Sequence, residues 1–93
     1  MTLEPTVVDI ALAELEGWTN AGDAITKTYT FDDFPAAIDF MQRAAGPIDR
    51  TDHHPEWTNV YNRIDVRLSS HDAGGITDRD LALAKLLDAI ASP

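Results

Sequence analysis

The chain has 93 residues, of which 44% are hydrophobic and 25% are charged, a composition typical of one globular domain over residues 1–93. Its 16 acidic and 7 basic residues give a net charge of −9, which would repel a phosphate backbone, so direct nucleic-acid binding is not expected. Without cysteine, a membrane-length apolar run or a basic leader, the sequence predicts a cytoplasmic protein with neither a disulfide framework nor a membrane span.

The first third of the chain predicts one helix followed by two short strands. Apolar residues spaced through residues 5–15 predict a helix, and Pro5 stands near its start, where proline costs a helix least. The run Asn20–Asp23 is typical of a turn. After it, β-branched and aromatic residues alternate with polar ones. We therefore expect strands over residues 17–20 and 24–31.

A second helix is predicted by a change of period. Apolar residues recur at helical spacing at Phe34, Ala37, Ile38, Met41 and Ala45. Asp32 or Asp33 can cap the start of this helix, and Gly46-Pro47 is expected to stop it.

The region after residue 55 predicts a hairpin. A strand is expected over residues 56–61, with a turn near Tyr61-Asn62, and an alternating strand follows. One face of the alternation holds Val60, Ile64, Val66 and Leu68, and the other holds Tyr61, Arg63, Asp65, Arg67 and Ser69. His71 continues the second, polar face if the strand extends that far.

The chain ends in a third predicted helix. Gly74-Gly75 is typical of a turn, and Thr77 with Asp80 can form a capping box at the helix start. An apolar stripe follows at Leu83, Leu86, Leu87 and Ile90. The order helix, two strands, helix, two strands, helix predicts an α+β fold of two layers, a four-stranded antiparallel sheet with helices packed on one face.

The segment 52–57, read as DHHPEW, holds two of the three histidines. With an ordinary pKa of about 6.5, a histidine can give and take protons near neutral pH. Pro55 excludes a helix interior for His53 and His54, and in an extended segment adjacent side chains point to opposite faces. From these residues alone, a surface loop that happens to contain histidines and a proton-transfer site both stay open.

Other kinds of site find less support. Three histidines and nearby aspartates could bind zinc or iron, but adjacent histidines on an extended segment rarely converge on one ion, so no metal is expected. Ser69 and Ser70 precede His71 without the G-x-S-x-G elbow of a hydrolase, and no phosphate-binding glycine loop is present. Trp18 and Trp57 are typical of core packing, although a tryptophan beside histidines can also stack on a flat heterocycle.

A longer pattern surrounds these histidines. It runs Asp49, His53-His54-Pro55, Tyr61, His71 and Asp80, with intervals of three, five, nine and eight residues. The flanking strings are GW at 17–18, ITKTYTFDDF at 25–34, HHPEW at 53–57 and VYNRIDVRLSSHDAGGIT at 60–77. In these features the chain after residue 12 resembles the pterin-4a-carbinolamine dehydratases, also called 4a-hydroxytetrahydrobiopterin dehydratases. Ser70 stands where the family pattern has threonine, and both side chains carry a hydroxyl.

The resemblance implies a fold, an assembly and a reaction. The fold is an antiparallel four-stranded sheet with helices on one side, assembled into homodimers or homotetramers. The reaction removes water from a 4a-hydroxytetrahydropterin to give a quinonoid dihydropterin, which recycles the cofactor of aromatic amino-acid hydroxylases. The resemblance implies no metal and no organic cofactor for this reaction.

The resemblance also implies which residues form the site. His53, His54 and His71 are expected to be catalytic, with His53 and His71 as the acid–base pair and His54 orienting substrate or sharing the proton transfer. The expected substrate-binding residues are Asp52, Pro55, Trp57, Ser69, Ser70, Asp80 and Trp18. Asp52 and Asp80 would fix imidazole tautomers or the pterin, although capping alone is an alternative for Asp80. The two tryptophans and the proline would wall the pocket, whereas Tyr61 is expected to pack.

Two other functions stay open beside this dehydratase. Some relatives serve as dimerisation partners of a transcription factor, and other proteins of this fold serve as assembly chaperones, so a non-catalytic assembly role is the first. The second is a dehydratase for a different, molybdopterin-related pterin, because the histidines would act on the ring and not on its side chain.

Overall fold

The computed structural model describes residues 1–92 and confirms the predicted α+β fold. Its elements are α1 Pro5–Leu12, β1 Thr19–Asn20, β2 Ile25–Thr30, α2 Phe34–Thr51, β3 Glu56–Val60, β4 Arg63–Leu68 and α3 Asp78–Ala91. The strands form one antiparallel sheet in the order β1-β2-β4-β3. All three helices pack residues into one buried cluster with the inner face of this sheet. No helix among residues 1–92 combines the length and apolarity needed to cross a membrane.

Alternating side chains in β4 separate the two faces of the sheet. The buried set is Ile64, Val66 and Leu68, and the outward set is Arg63, Asp65 and Arg67, as predicted. The register between β2 and β4 places Ile25 opposite Leu68 and Tyr29 opposite Ile64, and all four side chains are buried. Because directly opposed residues point to the same face, the outward set forms one continuous polar surface, which we call the open face.

Val60 departs from the predicted alternation. It ends β3, pairs with Arg63 across the hairpin and lies 51% exposed on the open face. The two-residue turn Tyr61-Asn62 reverses the chain, with Tyr61 at φ 52°, so an alternation counted through the turn assigns Val60 to the wrong face. Tyr61 itself is 62% exposed at this turn, and the expectation that it packs is wrong.

α1 is shorter than predicted, ending at Leu12 and not at residue 15. The Leu15 N–H bonds to Leu12 O at 3.0 Å, and the Trp18 N–H bonds to Leu15 O at 3.2 Å. Gly17 has φ +88°, a backbone conformation that glycine adopts without a steric penalty. These successive turns fold Leu15 into the core and lead the chain into β1, which a longer helix would not do.

α2 runs to Thr51, so the prediction that Gly46-Pro47 stops it is wrong. An internal proline removes one helical hydrogen bond, and this loss destabilises the helix. The buried residues of α2 are Ala37, Phe40, Ala44 and Ile48, a stripe shifted from the predicted one, and Phe34 is exposed. Because Ile48 extends this stripe beyond Pro47 and is 4% exposed, its burial offsets the lost bond and the helix continues.

α3 begins with the predicted capping box. Thr77 Oγ1 accepts the Arg79 N–H at 3.3 Å, and Asp80 Oδ2 accepts the Thr77 N–H at 2.9 Å. Leu83 and Leu87 lie in the core as predicted. The box fixes the start of α3, and with it the position of Asp80.

The segment between β4 and α3 is a turn, not an extension of the strand. β4 ends at Leu68, and Ser70 makes an isolated bridge with Gly75. The Gly74 N–H bonds to Ser70 O at 2.9 Å, with Gly74 at φ +77°. His71 therefore lies in a tight turn beyond the end of the sheet.

Candidate active site

His53 is held by the buried carboxylate of Asp80. α2 ends at Thr51, and Asp52 adopts a left-handed conformation with φ 55° that turns the chain out of the helix. His53 Nε2 then lies 2.6 Å from Asp80 Oδ1, with the histidine side chain 10% exposed and the aspartate fully buried. An imidazole N–H donating to a carboxylate makes a strong hydrogen bond, which fixes the orientation of the ring.

The same carboxylate connects His53 to the residue before His71. Asp80 Oδ2 accepts from Ser70 Oγ at 2.9 Å and from the Thr77 N–H at 2.9 Å. Ser70 Oγ also lies 2.7 Å from Thr77 Oγ1. Within residues 1–92 no buried side-chain nitrogen or oxygen lacks a hydrogen-bond partner. Because the buried network is fully satisfied, it is expected to be stable and well ordered.

His71 contacts the other end of the DHHPEW segment. Its Nε2 lies 3.3 Å from Glu56 Oε1, with the histidine side chain 83% exposed. Glu56 is the first residue of β3. Residues 53–56 and 70–71 are thus joined twice, through Asp80 at one end and through Glu56 at the other.

His54 has a looser partner. Its Nε2 lies 3.4 Å from Asp49 Oδ1, with side chains 60% and 83% exposed. Asp49 belongs to the part of α2 that continues beyond Pro47. This pair is more exposed and its contact is longer than the His53–Asp80 pair, so His54 is held less tightly than His53.

All three histidines present Nε2 to a carboxylate. A neutral imidazole that donates from Nε2 carries its proton there and leaves Nδ1 as a proton acceptor. In the described chain His53 Nδ1 has no hydrogen-bond partner, and no unpartnered side-chain nitrogen is buried, so this atom reaches solvent. His53 therefore offers an accessible proton-accepting nitrogen, Nδ1, while its Nε2 faces a carboxylate.

Asp52 and Ser69 lie beside the histidines with different contacts from those predicted. The Asp52 side chain is exposed and makes no hydrogen bond within residues 1–92, so the carboxylates that contact imidazoles are Asp80, Asp49 and Glu56. Ser69 Oγ donates to Asp23 O at 2.7 Å. This hydrogen bond ties Ser69 to the loop before β2.

Pro55 and Trp57 both line one groove beside this region. Both are half-buried. Trp57 pairs with Val66 on the inner face, and its ring centroid lies 6.3 Å from that of Phe40. A shallow groove of about 930 Å³ crosses the open face and adjoins the histidines at Pro55 and Glu56, but none of the three histidines lines it. Within residues 1–92 no three His, Asp or Glu side chains are grouped to hold a metal ion.

Comparison with known proteins assigns the chain to a family. A family model described as pterin 4 alpha carbinolamine dehydratase matches residues 1–90. The chain belongs to the pterin-4a-carbinolamine dehydratase family. The enzymes of that family are hydro-lyases.

Relatives and a solved structure agree with this assignment. A protein of Afipia carboxidovorans, provisionally named pterin-4-alpha-carbinolamine dehydratase, is 55% identical over 84 residues, covering 88% of this chain and 84% of its own. One of the same provisional name from Rhizobium rhizogenes is 48% identical over 92 residues, covering 97% and 91%. The crystal structure of a transcriptional coactivator/pterin dehydratase from Brucella melitensis matches with a TM-score of 0.92 and 40% identity, over 99% of this chain and 100% of that one.

In this member of the dehydratase family, Trp18 is not part of the histidine site. Its Nε1 donates to both carboxylate oxygens of Asp88 at 3.1 Å, and its side chain is buried. Asp88 stands eight residues beyond Asp80 on α3, a separation of about 12 Å along the helix. The structure therefore does not bring Trp18 to the histidines as predicted, because its indole N–H is bonded to Asp88 in the core.

Glu56 is the site residue that sequence reasoning missed. It stands inside the string HHPEW, but a glutamate at the start of a strand is usually a solvated side chain. Only the hairpin register, which places it opposite Arg67, and the turn after β4 bring it to His71. Its position two residues after His54 was the one available signal.

The dehydratase-family loop that carries His71 is also tied to α3. Arg79 Nη2 donates to Asp72 Oδ1 at 2.6 Å. This hydrogen bond is the main cause that lowers the pKa of Asp72 below its ordinary value, and it raises the pKa of Arg79. The pair links the turn that carries His71 to the first turn of α3.

Proposed function

We propose that this chain is a dehydratase that removes water from a 4a-hydroxytetrahydropterin and yields a quinonoid dihydropterin. The observation that carries the proposal is the connection of His53 to Asp80, and of Asp80 to Ser70, which precedes His71. This connection holds together the two chain segments that supply the histidines. Membership of the family supports the choice of substrate class.

The reaction needs one proton delivered and one removed. The C4a–O bond breaks as the hydroxyl group accepts a proton and leaves as water. The N5 lone pair forms the C4a=N5 double bond, and N5 loses its proton. A positioned imidazole contributes on the order of 10²–10⁴-fold to each such transfer. We assign the two transfers to His53 and His71.

The contact with Asp80 prepares His53 for proton transfer. A buried carboxylate on Nε2 keeps Nδ1 as the exchanging nitrogen, and it balances the positive charge when the ring is protonated. The carboxylate needs no rearrangement during the reaction because Ser70 and Thr77 already hold its other oxygen.

The remaining predicted residues take supporting roles in this proposal. His54, exposed and loosely held by Asp49, orients the pterin or shares the proton transfer. Pro55 and Trp57 form part of the wall around the pterin. The exposed side chain of Asp52 is available to contact the substrate directly. Ser69 and Ser70 set the start of the His71 turn.

The same family assignment supports a proposed setting. The chain works in the cytoplasm as a homodimer or homotetramer and recycles a tetrahydrobiopterin-type cofactor for an aromatic amino-acid hydroxylase. It needs neither a metal nor an organic cofactor of its own.

The test is to generate 4a-hydroxytetrahydropterin with a hydroxylase and to follow its dehydration by absorbance. We expect the wild-type chain to accelerate the decay, and His53→Ala and His71→Ala each to lower kcat by about 10²-fold or more. Lys85→Ala, an exposed change on α3, serves as the control and should retain full activity. Circular dichroism and urea unfolding would show that the variants fold.

A wild-type chain that leaves the decay unchanged would argue against the proposal. The same assay with a molybdopterin-related carbinolamine then separates a different pterin substrate from the absence of catalysis. Acceleration by wild type that survives both histidine substitutions would retain the enzyme and overturn the assignment of residues.

An assembly role is the second candidate function. It is favoured by one observation, that the Brucella melitensis structure is of a transcriptional coactivator/pterin dehydratase. The test is size-exclusion chromatography with light scattering, on the chain alone and with a dimeric transcription factor from the same cell. A stoichiometric complex together with an inactive wild-type chain would favour this role, and no complex would exclude that partner.

A further inference from the structure

The two histidines of the proposed acid–base pair differ in how they are held. His53 is packed against a buried carboxylate, with 10% of its side chain exposed. His71 is 83% exposed, and within residues 1–92 its ring makes one polar contact, with Glu56 Oε1 at 3.3 Å. A ring so exposed, in a turn, would otherwise sample several rotamers. Among the described residues, Glu56 is therefore the polar side chain placed to restrain the ring.

Glu56 is itself restrained by neighbours across the open face. The register places Arg67 directly opposite, and Arg67 Nη1 lies 3.4 Å from Glu56 Oε1. Arg67 Nη2 donates to Asp23 Oδ1 at 3.0 Å, and Asp23 O accepts from Ser69 Oγ at 2.7 Å. The glutamate thus ends a row of contacts that runs from the loop before β2, across β4, to β3.

The position of Glu56 in the chain adds to its effect. It lies three residues after His53 on the same extended segment, at the start of β3, where the sheet ladder fixes its backbone. A shift of the His71 turn relative to this segment would break the contact. The Glu56 carboxylate therefore links the segment that carries His53 to the turn that carries His71 on the solvent side. Asp80 links the same two segments in the interior.

We propose that Glu56 is a positioning residue for His71, holding its Nε2 so that the ring is presented in one orientation to the substrate. The inference rests on the proposed function for its consequence in catalysis, but not for the contact itself. Glu56 touches no reacting atom and acts only through the imidazole. Because the pair is exposed, its loss should lower kcat by about two- to fivefold and leave KM nearly unchanged.

The first experiment measures the His71 ring directly, without any assay of activity. Relaxation of the ring Cε1–H group by ¹³C NMR should show greater mobility in Glu56→Ala than in wild type. Glu56→Gln keeps an oxygen acceptor and should retain most of the order. The control is Asp39→Ala, which removes the carboxylate of another exposed pair, with Arg43 at 2.8 Å, and should leave the ring unchanged. Equal ring mobility in Glu56→Ala and wild type would overturn the proposal, whether or not the chain is a dehydratase.

The second experiment tests the route of the effect by kinetics. Glu56→Ala should lower kcat in the wild-type and His53→Ala backgrounds by the same factor. It should have no further effect in the His71→Ala background, because there is then no imidazole to position. A loss of equal size in the His71→Ala background would show that Glu56 acts elsewhere and would reject the positioning role.

Discussion

Asp80 shows how one buried residue serves both structure and site. Its Oδ2 closes the capping box of α3 with the Thr77 N–H and accepts from Ser70, while its Oδ1 meets His53. The capping role and the imidazole contact, which the sequence presented as alternatives, therefore occur together on different oxygens. A carboxylate is needed because all three neighbours use it as an acceptor.

At this residue, Asp80→Asn should lower both stability and activity. The amide is nearly the same size but uncharged. Its NH₂ group either faces the Thr77 N–H, which leaves a buried hydrogen bond unmade, or faces His53, whose Nε2 must then accept with the ring proton moved to Nδ1. We expect the free energy of unfolding to fall by about 1–3 kcal/mol in urea titrations. The dehydration rate should fall by about tenfold or more, since the imidazolium loses its counter-charge.

The matched control is Asp78→Asn, which removes an exposed carboxylate from the same first turn of α3. It should cost no more than about 1 kcal/mol through the helix dipole and leave activity intact. If Asp80→Asn proved as stable and as active as Asp78→Asn, the role given to the buried carboxylate would be wrong.

At the scale of elements, the length of α2 decides where the histidines lie. A proline inside a helix removes a donor and crowds the preceding turn, so ending the helix at Pro47 was the local expectation. The helix instead runs one further turn to bury Ile48, and Thr51 Oγ1 donates to Ile48 O at 2.7 Å near its end. That extra turn carries Asp49 to His54 and sets the exit point for His53.

Replacing the internal proline tests this account. Pro47→Ala restores a backbone N–H within α2, and we expect the free energy of unfolding to rise by about 1–2 kcal/mol in urea titrations. Pro35→Ala is the control, because Pro35 lies in the first turn of α2, where the N–H would have no helical acceptor. A variant at position 47 no more stable than wild type would mean that the proline is already accommodated without cost.

At the scale of the whole molecule, a second polar cluster joins β2 and α3 at the other end of the core. The carboxylate of Asp88 accepts from Trp18 Nε1, from Lys27 Nζ at 2.8 Å and from the Tyr29 hydroxyl. Lys27 also donates to Glu16 O at 2.9 Å, and its ammonium lies 4.8 Å from the Tyr29 ring centroid. This cluster locks the turn after α1 to the sheet and to the last helix.

The cluster predicts how stability depends on alkaline pH. Burial, and then the hydrogen bond to Asp88, raise the pKa of Tyr29 well above its ordinary value. A raised folded pKa gives stability that is complete below the unfolded pKa of about 10 and is lost as pH rises above it, by up to about 1.4 kcal/mol per pH unit. Tyr29→Phe removes this titration, so its stability should decline less steeply from pH 10 upward.

Urea titrations between pH 8 and pH 11 would measure this difference in slope. Tyr61→Phe is the control, since Tyr61 is exposed at the hairpin turn, and it should follow the wild-type profile. Parallel profiles for Tyr29→Phe and wild type would contradict the coupling between this phenol and folding.

The sequence by itself determined the order of elements, the antiparallel sheet, the capping box of α3 and the family. The first three follow from periodicity and turn residues, which are local along the chain and can be counted without a structure. The family was indicated by the resemblance of the motifs to a known signature. The histidines could be singled out for the same reason, because their chemistry and the proline beside them are visible in the string DHHPEW.

Only the tertiary structure decided where α2 ends, which face Val60 takes, and which carboxylate each histidine meets. Helix length was settled by burial of Ile48 against the core, and the face of Val60 by the hairpin turn. The pairing of His53 with Asp80 and of His71 with Glu56 joins residues distant in sequence. The contact of Trp18 with Asp88, which places the indole away from the histidines, likewise joins residues distant in sequence. Contacts of this kind depend on how elements pack, and no local pattern encodes them.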